Sequence, residues 1–229
     1  MIDKSYNFQL SENFIKNNYL KKLNLNKTGT FNFENDAAYL NTTKNNKTVV
    51  TTDTVVENAD FFTQDPPESI AQKIMCANLS DMSAMGALPK TYTLNLSINS
   101  TIDQMWLKKF TKRLSKIQKD YNMYLLGGDI SRSKEISVTV TCFGESKLKN
   151  IIKQNNSAPE DDIWVTGYLG NSYLGCKILK NQKLKIEKKY FNKFKNFYLY
   201  PTPCMFGSKA SNYIKSAVDI SDGFYGDLQ

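Results

Sequence analysis

The chain has 229 residues, of which 41% are hydrophobic and 12% aromatic, a composition typical of a folded globular protein rather than a disordered one. It contains 30 Lys and Arg, 22 Asp and Glu, and no histidine. The lack of histidine excludes imidazole acid–base catalysis and histidine metal ligands, so any catalysis must depend on carboxylates, hydroxyls, lysines or a metal.

The charge and the cysteines bear on the binding partners and the cellular compartment of the protein. The lysines are interspersed with asparagines along the whole chain, so we interpret the net charge of +8 as compositional and expect no nucleic-acid partner. An RNA-binding face on the lysine-rich segment 180–195 is the weaker alternative to a solvated amphipathic helix. We expect a cytoplasmic protein without membrane contact, because no apolar run reaches the roughly 18–20 residues of a membrane span, the first residues lack a signal-peptide core, and the four cysteines are widely spaced.

Hydrophobic periodicity and turn residues predict alternating helices and strands along the chain. The predicted elements are, in order, a helix over 8–23, a strand over 49–56, a helix over 68–85 ended by Gly86 and Pro89, a strand over 91–98, a helix over 101–122, strands over 123–129 and 136–145, and a strand and turn over 162–170 followed by helices. The polar, proline-containing segment after residue 144 predicts a boundary between a first domain, residues 1–146, and a second, residues 147–229.

Asp81 lies in the middle of the helix predicted over 68–85. Leu79, Met82 and Met85 form an apolar stripe on that helix at a spacing of three residues, which indicates burial. A buried, unpaired carboxylate is costly. The sequence therefore predicts that Asp81 has a partner elsewhere in the protein or in a ligand.

Six aspartates share one setting among small and hydroxyl residues: Asp36, Asp53, Asp81, Asp129, Asp219 and Asp222. Each alone is compatible with a helix cap or a turn, and six unrelated caps are the alternative interpretation. Together they suit Mg²⁺, which prefers oxygen ligands, and a bound polyphosphate. Gly127 and Gly128 permit backbone N–H groups to approach a phosphate closely, and hydroxyls are available from Thr51, Thr52 and Ser221. The sequence has neither a P-loop nor a dinucleotide-binding glycine motif.

Six segments, in this order, resemble the thiamine-monophosphate kinase family: NDAAYL, VVTTDTVVENADF, CANLSDMSAMGALP, LLGGDISR, APEDDIWVTGYLGNSYLG and PTPCMFG…AVDISDGFYGDL. The resemblance runs from about residue 30 to residue 229 and extends to a superfamily with aminoimidazole ribonucleotide synthetase. It implies an α/β (α+β), two-domain fold of the aminoimidazole ribonucleotide synthetase type. The N-terminal α/β domain is expected to form a homodimer, and the C-terminal α/β domain is expected to be truncated, because the family continues beyond the last residue of this chain.

The resemblance also implies a site that holds ATP and several Mg²⁺ ions between the domains. The implied metal ligands are Asp36, Thr51, Asp53, Asp81, Asp129, Asp219 and Asp222, with Thr52 beside them. The implied nucleotide contacts are Gly128, Asp129 and Ser221, and Asp60 occupies the position of a substrate-associated histidine. On this interpretation, a metal ion rather than another side chain is the partner of Asp81.

The implied reaction transfers the γ-phosphoryl group of ATP to thiamine monophosphate and forms thiamine diphosphate. The acceptor phosphate is already anionic, so metal-assisted transfer needs little or no general base. The chain departs from the family at Asn35, which replaces an aspartate, at Asp60, and near Gln154, which replaces an arginine that contacts the nucleotide. Two alternatives stay open: another ATP-using member of the superfamily, similar to aminoimidazole ribonucleotide synthetase, and a non-catalytic remnant that binds nucleotide or dimerises.

Overall fold

A computed structural model describes residues 17, 30–31, 34–41, 47–146, 151–182, 184, 186–210, 212–221 and 223–228. Of the helix predicted over 8–23, only residue 17 is among them. The centre of the protein is a sheet of five strands, which are β1 (Ala38–Asn41), β2 (Lys47–Val56), β3 (Leu88–Ile98), β4 (Tyr124–Arg132) and β5 (Ser137–Ser146). All four strands predicted between residues 49 and 145 are therefore present.

The strands lie in the order β1-β2-β5-β3-β4. The last of the described strands, β5, is inserted between β2 and β3 and pairs antiparallel with both. β3 and β4 are parallel, and helix α2 (Gln104–Tyr121) makes the crossover that a parallel pair requires. The sheet is thus mixed, and β4 forms one edge.

The two faces of the sheet differ because successive side chains of a strand point to opposite sides. On one side, helix α1 (Pro67–Ala84) contacts β2, β3 and β5; we call this the helix-covered face, and its buried residues include Val49, Val55, Val138, Val140 and Cys142. The other side carries hydroxyl pairs, with 2.9 Å between the Oγ1 atoms of Thr52 and Thr141 and 2.8 Å between those of Thr54 and Thr139. We call this second side the open face.

Helices α1 and α2 follow the predicted patterns closely. Pro67 begins α1 at a position where its missing N–H costs no hydrogen bond, and Gly86, with a φ of 69°, follows its end. The predicted stripe of Leu79, Met82 and Met85 is fully buried. In α2, Asp103 caps the first turn by accepting a hydrogen bond from the backbone N–H of Trp106 at 2.7 Å.

Residues after the sheet form short helices: α3 (Asn171–Leu179), α4 (Phe191–Leu199), α5 (Gly207–Ala210) and α6 (Phe224–Leu228). The strand predicted over 162–170 is wrong. Ile163 and Trp164 are exposed there, and no described residue pairs with this segment to satisfy the backbone groups of a strand. β5 ends at the predicted domain boundary, and the division into two domains stays a prediction. Within the described part of the chain, no helix has both the length and the apolar character of a membrane span.

The region after residue 151 docks onto the side of α1 that faces away from the sheet. Near the helix end, the Ser83 hydroxyl donates to the carbonyl oxygen of Cys204 at 2.7 Å. Earlier in the same helix, the side chains of Gln72 and Cys76 both donate to the carbonyl oxygen of Pro201, at 2.6 and 3.0 Å. Helix α1 is therefore held between the sheet and the following region.

Gly207 packs against the end of α1, and its replacement tests the contact between this helix and the region after residue 151. A Cβ atom at Gly207 would lie 1.8 Å from the carbonyl oxygen of Ser83, so we expect Gly207→Ala to lower the free energy of unfolding by about 1–3 kcal/mol, measured by urea denaturation. Gly226→Ala is the matched control, since a methyl group added there would meet nothing within 4 Å. Equal losses in the two variants would contradict the tight contact.

Candidate metal centre

Three carboxylates from distant parts of the sequence meet at one point. Asp36 precedes β1, Asp81 lies in α1, and Asp219 lies shortly before α6. Each offers one carboxylate oxygen, and these three oxygens lie within 4.8 Å of one another. The tertiary fold, rather than any local motif, therefore creates the cluster.

Strand β2 adds two residues beside Asp81. Thr51 is buried on the helix-covered face, and its hydroxyl donates a hydrogen bond to Oδ2 of Asp81. Asp53 is two residues further along, so it lies on the same face, and the side chain of Asp81 is close enough to lower the pKa of Asp53 by hydrogen bonding. Asp81 thus has a side-chain partner, Thr51, which corrects the expectation that only a metal would serve.

Burial raises the pKa values of Asp36, Asp53 and Asp81 above the ordinary value of an aspartate, and mutual repulsion adds to the rise at Asp36 and Asp81. Burial raises the pKa of Asp36 to about 7, and the charge of Asp219 contributes to the rise. Burial also raises the pKa of Asp81 to about 9, with additional repulsion from Asp53, Asp219 and Asp36. The pKa of Asp53 is raised as well, chiefly by burial. Without a cation, the cluster is therefore an unfavourable place for negative charge.

Two buried oxygens of this group, Oδ2 of Asp36 and Oδ2 of Asp53, have no hydrogen-bond partner among the residues that the structure describes. Buried carboxylate oxygens are normally satisfied by a donor or by a metal. A set of hard oxygen ligands with uncompensated negative charge is the donor set that Mg²⁺ prefers. The residues present therefore fit a magnesium ion, held by Asp36, Asp81 and Asp219 with Asp53 adjacent.

Two of the predicted site residues lie apart from this cluster within one chain. Asp129 is on β4, opposite Asn95, in the row of the open face where the Ser97 and Ser131 hydroxyls are 2.7 Å apart. Since β5 and β3 separate β4 from β2, the usual strand spacing places Asp129 about 14 Å from β2. Thr52 also points to the open face, where its hydroxyl donates to the carbonyl oxygen of Val140 at 3.2 Å.

Gly128 has a packing role that the sequence did not reveal. A Cβ atom there would lie 1.8 Å from the carbonyl oxygen of Leu94 on β3. The adjacent strand thus explains this glycine without any ligand, and its contact with a phosphate stays a prediction.

Asp60 and Ser221 both take part in local turns. The Asp60 carboxylate accepts from the backbone N–H of Val56 at 2.9 Å and closes the turn after β2. The backbone N–H of Ser221 donates to Asp227 at 2.9 Å at the start of α6. Their roles toward substrate and nucleotide stay predictions, and Asp222 lies outside the described residues.

Gln154 is a residue of the centre that sequence reasoning identified only as a departure from the family. Its side-chain N–H donates to Oδ1 of Asp36. A neutral amide in a polar loop gives no signal of such a contact, because the contact depends on how residues 153–156 pack against the loop before β1.

The chain is similar to known proteins both in sequence and in structure. Residues 34–146 match the family model of AIR synthase related protein, N-terminal domain. The chain is 35% identical over 222 residues to the thiamine-monophosphate kinase of Buchnera aphidicola subsp. Schizaphis graminum, covering 96% of this chain and 67% of that protein. The chain belongs to the thiamine-monophosphate kinase family. It is also 33% identical to the Escherichia coli K12 member over 194 residues, which is 84% of this chain and 59% of that protein.

Solved structures of the family have the same fold. AaThiL complexed with AMPPCP and TMP superposes with a TM-score of 0.81 and 26% identity, covering 91% of this chain and 65% of that one. The thiamine-monophosphate kinase of Stenotrophomonas maltophilia K279a gives a TM-score of 0.75 and 28% identity, with coverages of 96% and 70%. These matches confirm the predicted α/β fold class, and the chain spans about two thirds of the length of its relatives.

The raised pKa values of Asp36 and Asp81 predict how the metal-free chain responds to pH. Both groups have an ordinary value of 3.8 and ionise in the folded chain only near 7 and 9. Their contribution to stability is complete below the ordinary value and is lost as the pH rises through the folded values. We therefore expect the urea midpoint in EDTA to fall between about pH 5 and pH 9, and added Mg²⁺ to restore it.

Because other groups also titrate, the comparison with variants decides this test. Asp81→Asn mimics the protonated carboxyl group and is expected to flatten the fall in midpoint. Replacement of the exposed Asp162 by Asn should leave the fall unchanged. A wild-type midpoint that holds or rises toward pH 9 would show that these carboxylates are not buried together.

Proposed function

We propose that this chain is the phosphoryl-transferring part of a thiamine-monophosphate kinase, which converts ATP and thiamine monophosphate to ADP and thiamine diphosphate. The observation that carries the proposal is the cluster of Asp36, Asp81 and Asp219, whose members lie within 4.8 Å and include an unsatisfied buried oxygen. Support comes from the relatives named thiamine-monophosphate kinase and from AaThiL, which is complexed with AMPPCP and TMP.

The role of the chain's residues is to position cations and phosphates rather than to transfer protons. Bound Mg²⁺ supplies charge neutralisation for the two phosphate chains. The bond between the γ-phosphorus of ATP and its bridging oxygen breaks, and an oxygen of the acceptor phosphate forms the new bond. That oxygen is already anionic, so no residue has to remove a proton, in keeping with a chain that has no histidine.

The arrangement around Asp81 prepares the centre for cations. The Thr51 hydroxyl fixes one oxygen of Asp81, and the strand holds Asp53 next to it. Since the pKa of Asp81 is raised to about 9 when no cation is present, cation binding at neutral pH is expected to release a proton from it. Rigid strand and helix positions lower the cost of reorganisation during transfer.

The proposal includes a homodimer that completes the site. Strand β4 is exposed along its length and carries Leu126 and Ile130, which are 61% and 70% exposed. An edge strand with such apolar residues is normally covered in the functional protein. Asp129 lies on this strand about 14 Å from β2, so it can act as a ligand only if a second copy presents it. We place the reaction in the cytoplasm, in keeping with the four cysteines being free thiols.

Formation of thiamine diphosphate is the direct test. We would incubate ATP, Mg²⁺ and thiamine monophosphate with this chain and with a form extended by the C-terminal residues of the Buchnera relative. Asp53→Asn and Asp81→Asn are each expected to lower the rate by roughly 10²–10³-fold, whereas Asp162→Asn should not. If neither form makes product and both still bind AMPPCP, the non-catalytic nucleotide-binding alternative replaces the kinase.

Mixing two inactive variants tests the shared site. In a dimer of one Asp81→Asn chain and one Asp129→Asn chain, one of the two sites has both carboxylates if Asp129 acts across the interface. Co-refolding equal amounts should then restore about a quarter of wild-type activity, since half of the dimers are mixed. A mixture that stays at the level of the separate variants would mean that Asp81 and Asp129 do not act together across the interface. Wild-type activity of Asp129→Asn alone would mean that Asp129 has no role.

A further inference from the structure

One short turn connects two of the three segments that form the carboxylate cluster. Residues Gln154–Asn156 form a 3-10 turn. On one side of it, the Gln154 side-chain N–H donates to Oδ1 of Asp36, and the Gln154 backbone N–H donates to Oδ1 of Asn35 at 3.3 Å. Two hydrogen bonds from a single residue therefore hold the loop that carries Asp36.

The other side of the same turn is bonded to the segment that leads to Asp219. The Ser216 hydroxyl donates to the carbonyl oxygens of Lys153, at 2.8 Å, and of Gln154. In return, the backbone N–H of Asn156 donates to the Ser216 hydroxyl oxygen at 3.1 Å, and that of Ala217 donates to the carbonyl oxygen of Lys153 at 3.3 Å. The turn thus ties the Asp36 loop to the Asp219 segment.

The hydrogen bond from Gln154 also determines how the Asp36 carboxylate is oriented. The two oxygens of a carboxylate are rigidly related, so fixing Oδ1 sets the direction of Oδ2. Oδ2 is the buried oxygen that has no hydrogen-bond partner. One oxygen of Asp36 is therefore held by the protein, and the other is left for a cation.

We propose that Gln154 is a positioning residue for the metal centre, which holds Asp36 in the orientation that receives a divalent cation. This inference rests on the proposed function. A neutral amide suits the task, since it donates to the carboxylate without adding a positive charge that would repel the metal. Residues that hydrogen-bond to metal ligands in this way affect metal affinity by about 10–100-fold.

Manganese binding without nucleotide tests the proposal directly. The EPR signal of free Mn²⁺ would be followed during titration of the wild-type chain and of Gln154→Met, which keeps the length of the side chain and removes its donor. We expect the variant to bind Mn²⁺ at least about tenfold more weakly and to unfold in EDTA at the wild-type temperature. Asn155→Ala, in the same turn and exposed, should leave the affinity unchanged.

A double variant separates positioning from general packing. If Gln154 acts through Asp36, adding Gln154→Met to Asp36→Asn should weaken Mn²⁺ binding no further. An equal additional loss in that background, or unchanged affinity in Gln154→Met alone, overturns the positioning role and leaves the metal centre intact. Failure of the wild-type chain to bind Mn²⁺ overturns both this inference and the proposed centre.

Discussion

Repulsion among half-buried carboxylates is the interaction on which the candidate site depends. Asp36, Asp81 and Asp219 are brought within 4.8 Å, and burial is the largest cause of the raised pKa in two of them. A fold gains no stability from such a cluster in its ionised, metal-free form. A bound cation or a proton neutralises the repulsion between the carboxylates. The stability of the fold is therefore coupled to ligand binding at this cluster.

Helix α1 is the element that makes this cluster possible. One side of it lies on the sheet and places Asp81 beside Thr51 of β2. Its other side binds the region after residue 151 through Ser83 and Gln72, and that region carries Asp219. A disturbance of this helix would therefore move carboxylates on both sides of it. Contact on both sides is also the reason that so little of the helix is exposed.

Local sequence predicted the elements well and their arrangement poorly. The periodicity of α1, α2 and the strands is a local property, and those elements are found where they were predicted. The insertion of β5 between β2 and β3 is not a local property of the sequence. It separates Asp129 from Asp53, although the sequence around both aspartates suggested one shared site. The hydroxyl of Thr51 donates to Asp81, a contact that the sequence did not indicate, and its role as a metal ligand stays a prediction. The failed strand over 162–170 has the composition of a strand and lacks a neighbour among the described residues.

The two departures from the family motif near this site contact each other. Asn35 and Gln154 are positions that the resemblance marks as departures, and the backbone N–H of Gln154 donates to the side chain of Asn35. Both side chains are neutral amides, so neither of them adds charge beside Asp36. The side-chain N–H of Gln154 donates to Oδ1 of Asp36. Because a divalent cation responds to net charge and to ligand orientation, two neutral amides can orient Asp36 and leave its negative charge available to a cation.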